Sequence, residues 1–325
     1  MATLARPPPL IDPWPPLELA GWKDTRDTLQ RCLQIAGKLR IALTPPTNHW
    51  WNAGLQLTAR GLTTLALPWR GGAFELAFDL IDHEVVLQTS WDDRHIHALG
   101  GQTVADFYRE LLAALRAMGV EPEIWDVPVE VTDRTPLHAD THHAAYDPDA
   151  VRRFFQVLLS VHNVLDRFRA GFTGKASPVQ FYWGGCDLSV SLYSGRGAPP
   201  REGDAILRES STEEYFSVGF WPGDERYPDA AFFAYCSPEP EEFRDGNLAP
   251  AAATYEPRLG EFILPYQAVR QSPDPDKTLL SFCESAYHRA ASLARWDRAK
   301  LERPLILPKP RSRPFDAEEP APQGG

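Results

Sequence analysis

The sequence predicts an α+β fold made of two pseudo-repeats, each a helix, an antiparallel sheet of four to five strands and a second helix, packed as α/β two-layer sandwiches. Three observations predict it. Four segments carry apolar residues at helical spacing, two stretches between them change to a period of two, and the order helix, strands, helix occurs twice. The first and third helical segments also align at a constant numbering difference of 129, pairing Leu29 with Leu158, Cys32 with Val161, Ala36 with Leu165, Leu39 with Phe168, Arg40 with Arg169 and Thr44 with Thr173. Any two amphipathic helices can be phased to agree on apolar positions. The paired Arg and Thr therefore carry the weight, each leading toward an expected aromatic strand, Trp50-Trp51 in one copy and Phe181-Tyr182-Trp183 in the other.

Each helix has a start signal. Asp24, with Asp27 three residues on, is the expected cap of the first, whose stripe runs from Leu29 to Leu43. Thr103 with Asp106 opens the second, which carries Val104, Phe107, Leu111 and Leu115 and closes at Gly119. Asp147-Pro148 and Asp274-Pro275 begin the third and fourth, since proline suits the first helical position.

Residues 51–99 read as a meander. Phe74, Leu76, Phe78 and Leu80 alternate with Glu75, Ala77 and Asp79, and Val85 and Leu87 follow the turn at 81–84. In the second half strands are expected at 179–193, 214–221, 230–236 and 261–265, with Gly184-Gly185 as a bulge where the apolar phase switches. Residues 194–211 and 237–259 read as long loops, and Pro16–Leu19 and Glu123–Val131 as candidate leading strands. The chain accordingly divides into a Pro-rich, disordered segment 1–13, a first repeat at 14–132, a second at 133–302 and a Pro-rich disordered tail at 303–325.

A chain of 325 residues with 43% hydrophobic content suffices for one large or two fused globular units. Its net charge of −11 repels phosphate backbones, which argues against nucleic acid as a partner. No window approaches a membrane span, and the four cysteines lack the compact spacing of a disulfide framework. A cytoplasmic protein with buried thiols is expected, and the excess of Arg over Lys points to a GC-rich bacterial genome.

The candidate chemistry is scattered. His49, in Thr-Asn-His-Trp-Trp, stands beside Trp50 and Trp51, where flat apolar walls would exclude water around a group that titrates near neutrality. Asp187 alternates with Ser189 and Ser191 and is a candidate general base, although the same pattern describes the solvent side of a half-buried strand. Lys175, in Gly-Lys-Ala-Ser, lacks the upstream glycine of a phosphate loop but remains a candidate anion contact. Trp183, Arg196 and Trp221 fall at strand ends and turns, where binding residues gather. His138, His142 and His143 carry metal-ligand side chains, yet they sit in a connection without helical support, so a solvated linker is the expectation. No serine-hydrolase elbow, zincin pair or dinucleotide turn occurs, and no cofactor is expected.

Several motifs together, NHWW (48–51), VADFYRELLAALRAMG (104–119), YDPDAVRRF (146–154), GKASPVQFYWG (174–184), GFWPGD (219–224) and GEFILPY (260–266), resemble a bacterial family catalogued as domain-of-unknown-function family 5996. The resemblance spans about Trp14 to Glu302 and implies a common fold without supplying an activity. It also implies imidazoles where this chain has Gln180 and near Thr212-Glu213-Glu214, so a family site that used them is altered here. The expected function is to bind or transform a small molecule in an aromatic-lined cleft between the repeats; the alternative is a non-catalytic interaction scaffold.

Overall fold

A computed structural model of the chain describes residues 11–203 and 205–306. The expected disordered segments 1–13 and 303–325 fall for the most part outside the described residues. The first half opens with α1 (Lys23–Leu43), followed by strands β1 (Gln56–Leu57), β2 (Gly61–Thr63), β3 (Leu67–Trp69), β4 (Gly72–Asp79), β5 (Glu84–Thr89) and β6 (Arg94–Ala98), and then by α2 (Val104–Ala117). The second half repeats that order with α3 (Pro148–Ala170), β7 (Gln180–Tyr182), β8 (Asp187–Gly197), a short α4 (Ala205–Ser210), β9 (Glu213–Trp221), β10 (Ala231–Ser237), β11 (Thr254–Glu256) and β12 (Glu261–Pro265). A one-turn α5 (Tyr266–Arg270) leads into α6 (Pro275–Leu293), with α7 (Arg298–Leu301) after it.

The strands form two six-stranded antiparallel sheets, ordered β1-β2-β4-β5-β6 with β3 beside β4, and β7-β8-β9-β10-β12-β11. Among the described residues one backbone bridge joins them. The Leu55 amide donates to the Phe181 carbonyl at 2.8 Å and the Phe181 amide to the Leu55 carbonyl at 2.9 Å, so the edges at β1 and β7 meet. Strand order then runs outward from the seam in chain order on both sides, except that β3 sits beside β4 off the main path and β12 lies between β10 and β11.

The apolar alternation sets which face the helices cover. Phe74, Leu76 and Phe78 of the first sheet, and Leu188, Val190, Leu192, Phe216, Val218 and Phe220 of the second, are buried beneath them in one continuous core that crosses the seam. Aromatic pairs mark the layer contacts: Phe78 with Phe107 of α2, Phe154 of α3 with Phe181, and Phe216 with Tyr287 of α6. The four cysteines are buried and free, and among the described residues no helix is long and apolar enough to cross a membrane.

Local chemistry accounts for both agreement and difference with the sequence reading. Thr103, Asp147 and Asp274 each accept a hydrogen bond from a first-turn amide and start α2, α3 and α6 as read. Asp24 caps nothing: α1 begins at Lys23 after the buried Trp22, and Asp24 lies inside the first turn. Gly184-Gly185 is the turn of a tight hairpin in which β7 pairs with β8, and the bulge lies farther on, between Tyr193 and Gly197. Residues 194–211 contain the end of β8 and all of α4, and residues 237–259 contain β11.

Neither proposed leading strand forms. Residues 16–19 lie along the helical layer, with Tyr266 donating to the Pro15 carbonyl at 2.7 Å. Residues 123–131 form no regular element, with bends at 127 and 129–131, and are clamped by side chains of α1. Gln34 exchanges two 2.9 Å hydrogen bonds with the backbone of Val129, and Lys38 donates to the Val127 carbonyl at 2.8 Å. A strand's backbone groups are met here by side chains, which is why α1 is buried even on its polar face.

Candidate functional site

Alternation places Asp187, Ser189, Ser191 and Tyr193 of β8 on the face of the second sheet turned away from the helices. Register aligns Ser191 with Ser217 and Ser189 with Gly219, then Gly219 with Phe233 and Ser217 with Tyr235 across β9 and β10. The middle of this face is therefore paved with serines and a glycine, while Tyr193, Tyr215, Tyr235, Phe233 and Trp221 stand around it. The result is a cavity of about 590 Å³. Gly219 is small for a physical reason, since a Cβ there would come within 2.6 Å of the Leu188 carbonyl oxygen and 2.7 Å of the Phe233 ring.

Two segments from outside the second sheet close the cavity. The first is the turn after α1. Thr47 and Asn52 bond each other reciprocally, the Thr47 amide to Asn52 Oδ1 at 3.1 Å and the Asn52 amide to Thr47 Oγ1 at 3.0 Å, while Arg40 Nε donates to the Asn52 carbonyl at 2.6 Å. This folds 48–50 into a 3-10 turn, with His49 and Trp50 both at φ +57°, where a strand was expected. The second is the clamped connection, which brings Val129 and Glu130 to the rim beside Gly184.

His49 is 5% exposed and stacks on Tyr193 with ring centroids 4.3 Å apart. Its Nδ1 lies 3.0 Å from the Ser210 carbonyl, which can only accept, so Nδ1 carries the proton and Nε2 holds a lone pair. Burial lowers its pKa, and Nε2 has no hydrogen-bond partner, the Glu213 carboxylate being 3.6 Å away. Glu213 is instead ion-paired with Lys175, whose ammonium lies 5.2 Å from the Tyr193 ring centroid and 5.8 Å from that of Trp51.

Two carboxyls on the cavity face are held far from their ordinary range. Asp187 is pushed up to about 8, first by burial and then by the charge of Glu130; Ser189 Oγ donates to it at 3.2 Å. Burial pushes Glu261, at the start of β12, up to about 7. Both groups exchange protons near neutrality, which ordinary surface carboxylates do not do. The phenols deepen the same environment, with Tyr182 pushed up to about 12 by burial.

Of the residues singled out in the sequence, His49, Trp50, Trp51, Trp183, Asp187 and Trp221 converge on this cavity. Trp183 is fixed by donating to the Ala53 carbonyl at 2.8 Å. Lys175 stands behind the aromatic wall, bound to Glu213. Arg196 lies elsewhere, tied to Glu214 at 2.6 Å and to the end of α6 through the Ala294 carbonyl. Two histidine side chains of the connection are separately engaged, His138 with Asp126, and His143 with Asp140 at 2.8 Å, which also pairs with Arg31 at 3.2 Å, while His142 donates its backbone amide to Asp140 at 3.1 Å. Among the described residues no group of three or more His, Cys, Asp and Glu is arranged to hold a metal.

Sequence reasoning missed Glu130, Glu213, Glu261, Tyr193, Tyr215, Tyr235 and Ser217. The available signal was the alternation Tyr-x-Ser-x-Gly-x-Trp along β9, which puts small residues in the centre of a face and aromatics at its ends. Gln180, where the resemblance implies an imidazole, is buried and donates to the Tyr182 hydroxyl at 2.8 Å. The model of a family of unknown function, DUF5996, matches residues 14–303. No curated protein and no solved structure matches the chain.

Proposed function

We propose that this chain, which belongs to DUF5996, a family of unknown function, binds a small organic molecule in the cavity over its second sheet. The carrying observation is the floor. Serines and a glycine occupy the middle of a sheet face whose rim is aromatic, so about 590 Å³ stays open where ordinary core residues would fill it. The cleft anticipated at the junction of the halves is thus assigned to the second sheet, with the first half contributing the His49–Trp51 turn as one wall. A chemical step on the bound molecule is the finer reading. The Nε2 lone pair of His49 and the proton-exchanging Asp187 support it, because general acid–base work needs groups poised near neutrality.

The wider setting proposed is a cytoplasmic bacterial protein whose halves descend from one duplicated unit. Four free buried thiols and the outward strand order on both sides of the Leu55–Phe181 bridge support this. A thermal-shift screen of a metabolite library, read in parallel by tryptophan fluorescence, tests the binding function. Stabilisation by some compound, weakened in His49→Ala, is the expected result. A library without any shift favours the scaffold reading and removes this one.

A further inference from the structure

We infer that the ligand of this cavity is a saccharide, its ring lying against the aromatic wall and its hydroxyls meeting the serines and phenols of the second sheet. The inference rests on the binding function proposed above and narrows it to one chemical class. Register lays the face out in rows. Ser189 stands beside Gly219 and then Phe233, Ser191 beside Ser217 and then Tyr235, and Tyr193 beside Tyr215. The rings therefore turn a corner around the serines. They cross β8 and β9 beyond Ser191 and Ser217, and then run along β10 beside Ser217 and Gly219. Trp221, two residues past Gly219 on the same face, closes the other end.

This wall is continuous. Ring centroids lie 5.7 Å apart from Tyr193 to Tyr215, 5.9 Å from Tyr215 to Tyr235 and 6.2 Å from Tyr235 to Phe233. Inside it, Ser191 Oγ donates to Ser217 Oγ at 3.2 Å and Ser189 Oγ to Asp187 at 3.2 Å. Serine and tyrosine hydroxyls outnumber the carboxyls and arginines of the lining, and each can both give and take a hydrogen bond. The charged groups add little that would select a charged ligand. Arg226 is paired with Asp224 at 2.8 Å and Arg258 with Glu256 at 3.0 Å, so an anion would compete with a carboxylate for either one. Asp187, pushed up to about 8, keeps its proton at neutral pH and acts as one more hydroxyl.

A flat aromatic compound would match the rings and leave the floor hydroxyls without partners. An open-chain polyol would match the hydroxyls and leave the ring faces to water. A pyranose presents both surfaces, a C–H face of low polarity and a rim of hydroxyls that give and take hydrogen bonds. A cavity of about 590 Å³ holds one or two such rings.

The test is titration calorimetry on the full chain at about pH 7, where Asp187 keeps its proton. The saccharides are glucose, galactose, N-acetylglucosamine, maltose, cellobiose and trehalose. Sorbitol supplies the hydroxyls without the ring, and tetrahydropyran-2-methanol the ring without its secondary hydroxyls. At least one saccharide should bind at least about tenfold more tightly than either comparator. Trp221→Leu should weaken that saccharide about tenfold and Ser217→Ala about fivefold, each with the circular dichroism unchanged. Saccharides that bind no better than the comparators, or whose binding ignores both substitutions, overturn the inference. If the metabolite library then yields a ligand of another class, the binding function stands without it. If neither the saccharides nor the library binds, both readings fall.

Discussion

Two carboxyls held up by burial leave a signature in stability. Asp187 and Glu261 lie at about 8 and about 7, above the values they take in an unfolded chain. An acid of that kind binds more protons folded than unfolded, so its contribution favours folding at low pH and is lost as pH rises toward the folded pKa. Glu130 from the connection, Arg226 from the loop after β9 and Tyr182 from β7 face the same pair, and Arg226 is the cation that draws Glu261 down. Burial lowers the histidines His49, His83, His97 and His162, and these act in the opposite sense below about pH 6.5. Burial also lowers Lys38 to about 8, which acts in the opposite sense over the same range, and Glu261 titrates there as well. The contribution of Asp187, up to about 1.4 kcal/mol of stability per pH unit between about pH 7 and 8, is therefore read as the difference between the wild type and Asp187→Asn. Urea denaturation of the two ligand-free proteins should show the wild type losing stability relative to the variant across that range. A difference between them that is independent of pH would contradict the burial of this carboxyl. None of this was readable from the Asp-x-Ser-x-Ser alternation, which describes a solvated face as well as a cavity floor; only the neighbouring strands decide between them.

At the scale of elements, α1 links the fold to the site. Its Gly37 leaves room for Trp183, whose ring atoms would lie within 2.0 Å of a Cβ at that position. Helix propensity alone favours Gly37→Ala by about 1 kcal/mol, but the overlap forces the ring out of the cavity wall, and overpacking of this kind costs about 1–3 kcal/mol. Gly37→Ala is therefore expected to destabilise the protein and to shift its tryptophan emission; a more stable protein with unchanged emission would show that the ring does not pack there. The same helix explains what its sequence concealed. Gln34, Arg31 and Lys38 lie off the apolar stripe, yet they bind backbone carbonyls of the connection, and that long-range pairing turns residues 123–131 into a clamped segment instead of a strand. Caps such as Thr103 and Asp147 were legible because their bonds close within three residues. The His49 turn was not, because it depends on Arg40 and Asn52 as well as on its own residues.

Across the whole molecule, the halves share one core and one backbone bridge, so they are expected to unfold together. Calorimetry should give a single transition whose calorimetric and van't Hoff enthalpies agree, and two resolved transitions would contradict the shared core. The α+β layering was legible because helical and strand periodicities are local, and the chain-order parallel between the halves was legible from the matched Arg40 and Arg169. Both arginines reach carbonyls beyond their helix, those of Asn52 and Ser177. What stayed hidden was the gathering of β8, β9, β10 and β12 into one floor, since register is a property of pairs of strands. That floor is the centre of the account, and Ser217 lies in it with its side chain toward open space, so Ser217→Trp should fill the cavity while leaving the opposite, packed face untouched. The most direct test is titration of the strongest ligand from the screen into the wild type and into folded Ser217→Trp. Binding to the wild type and its loss in the variant is the predicted result, and equal binding to both would contradict the site.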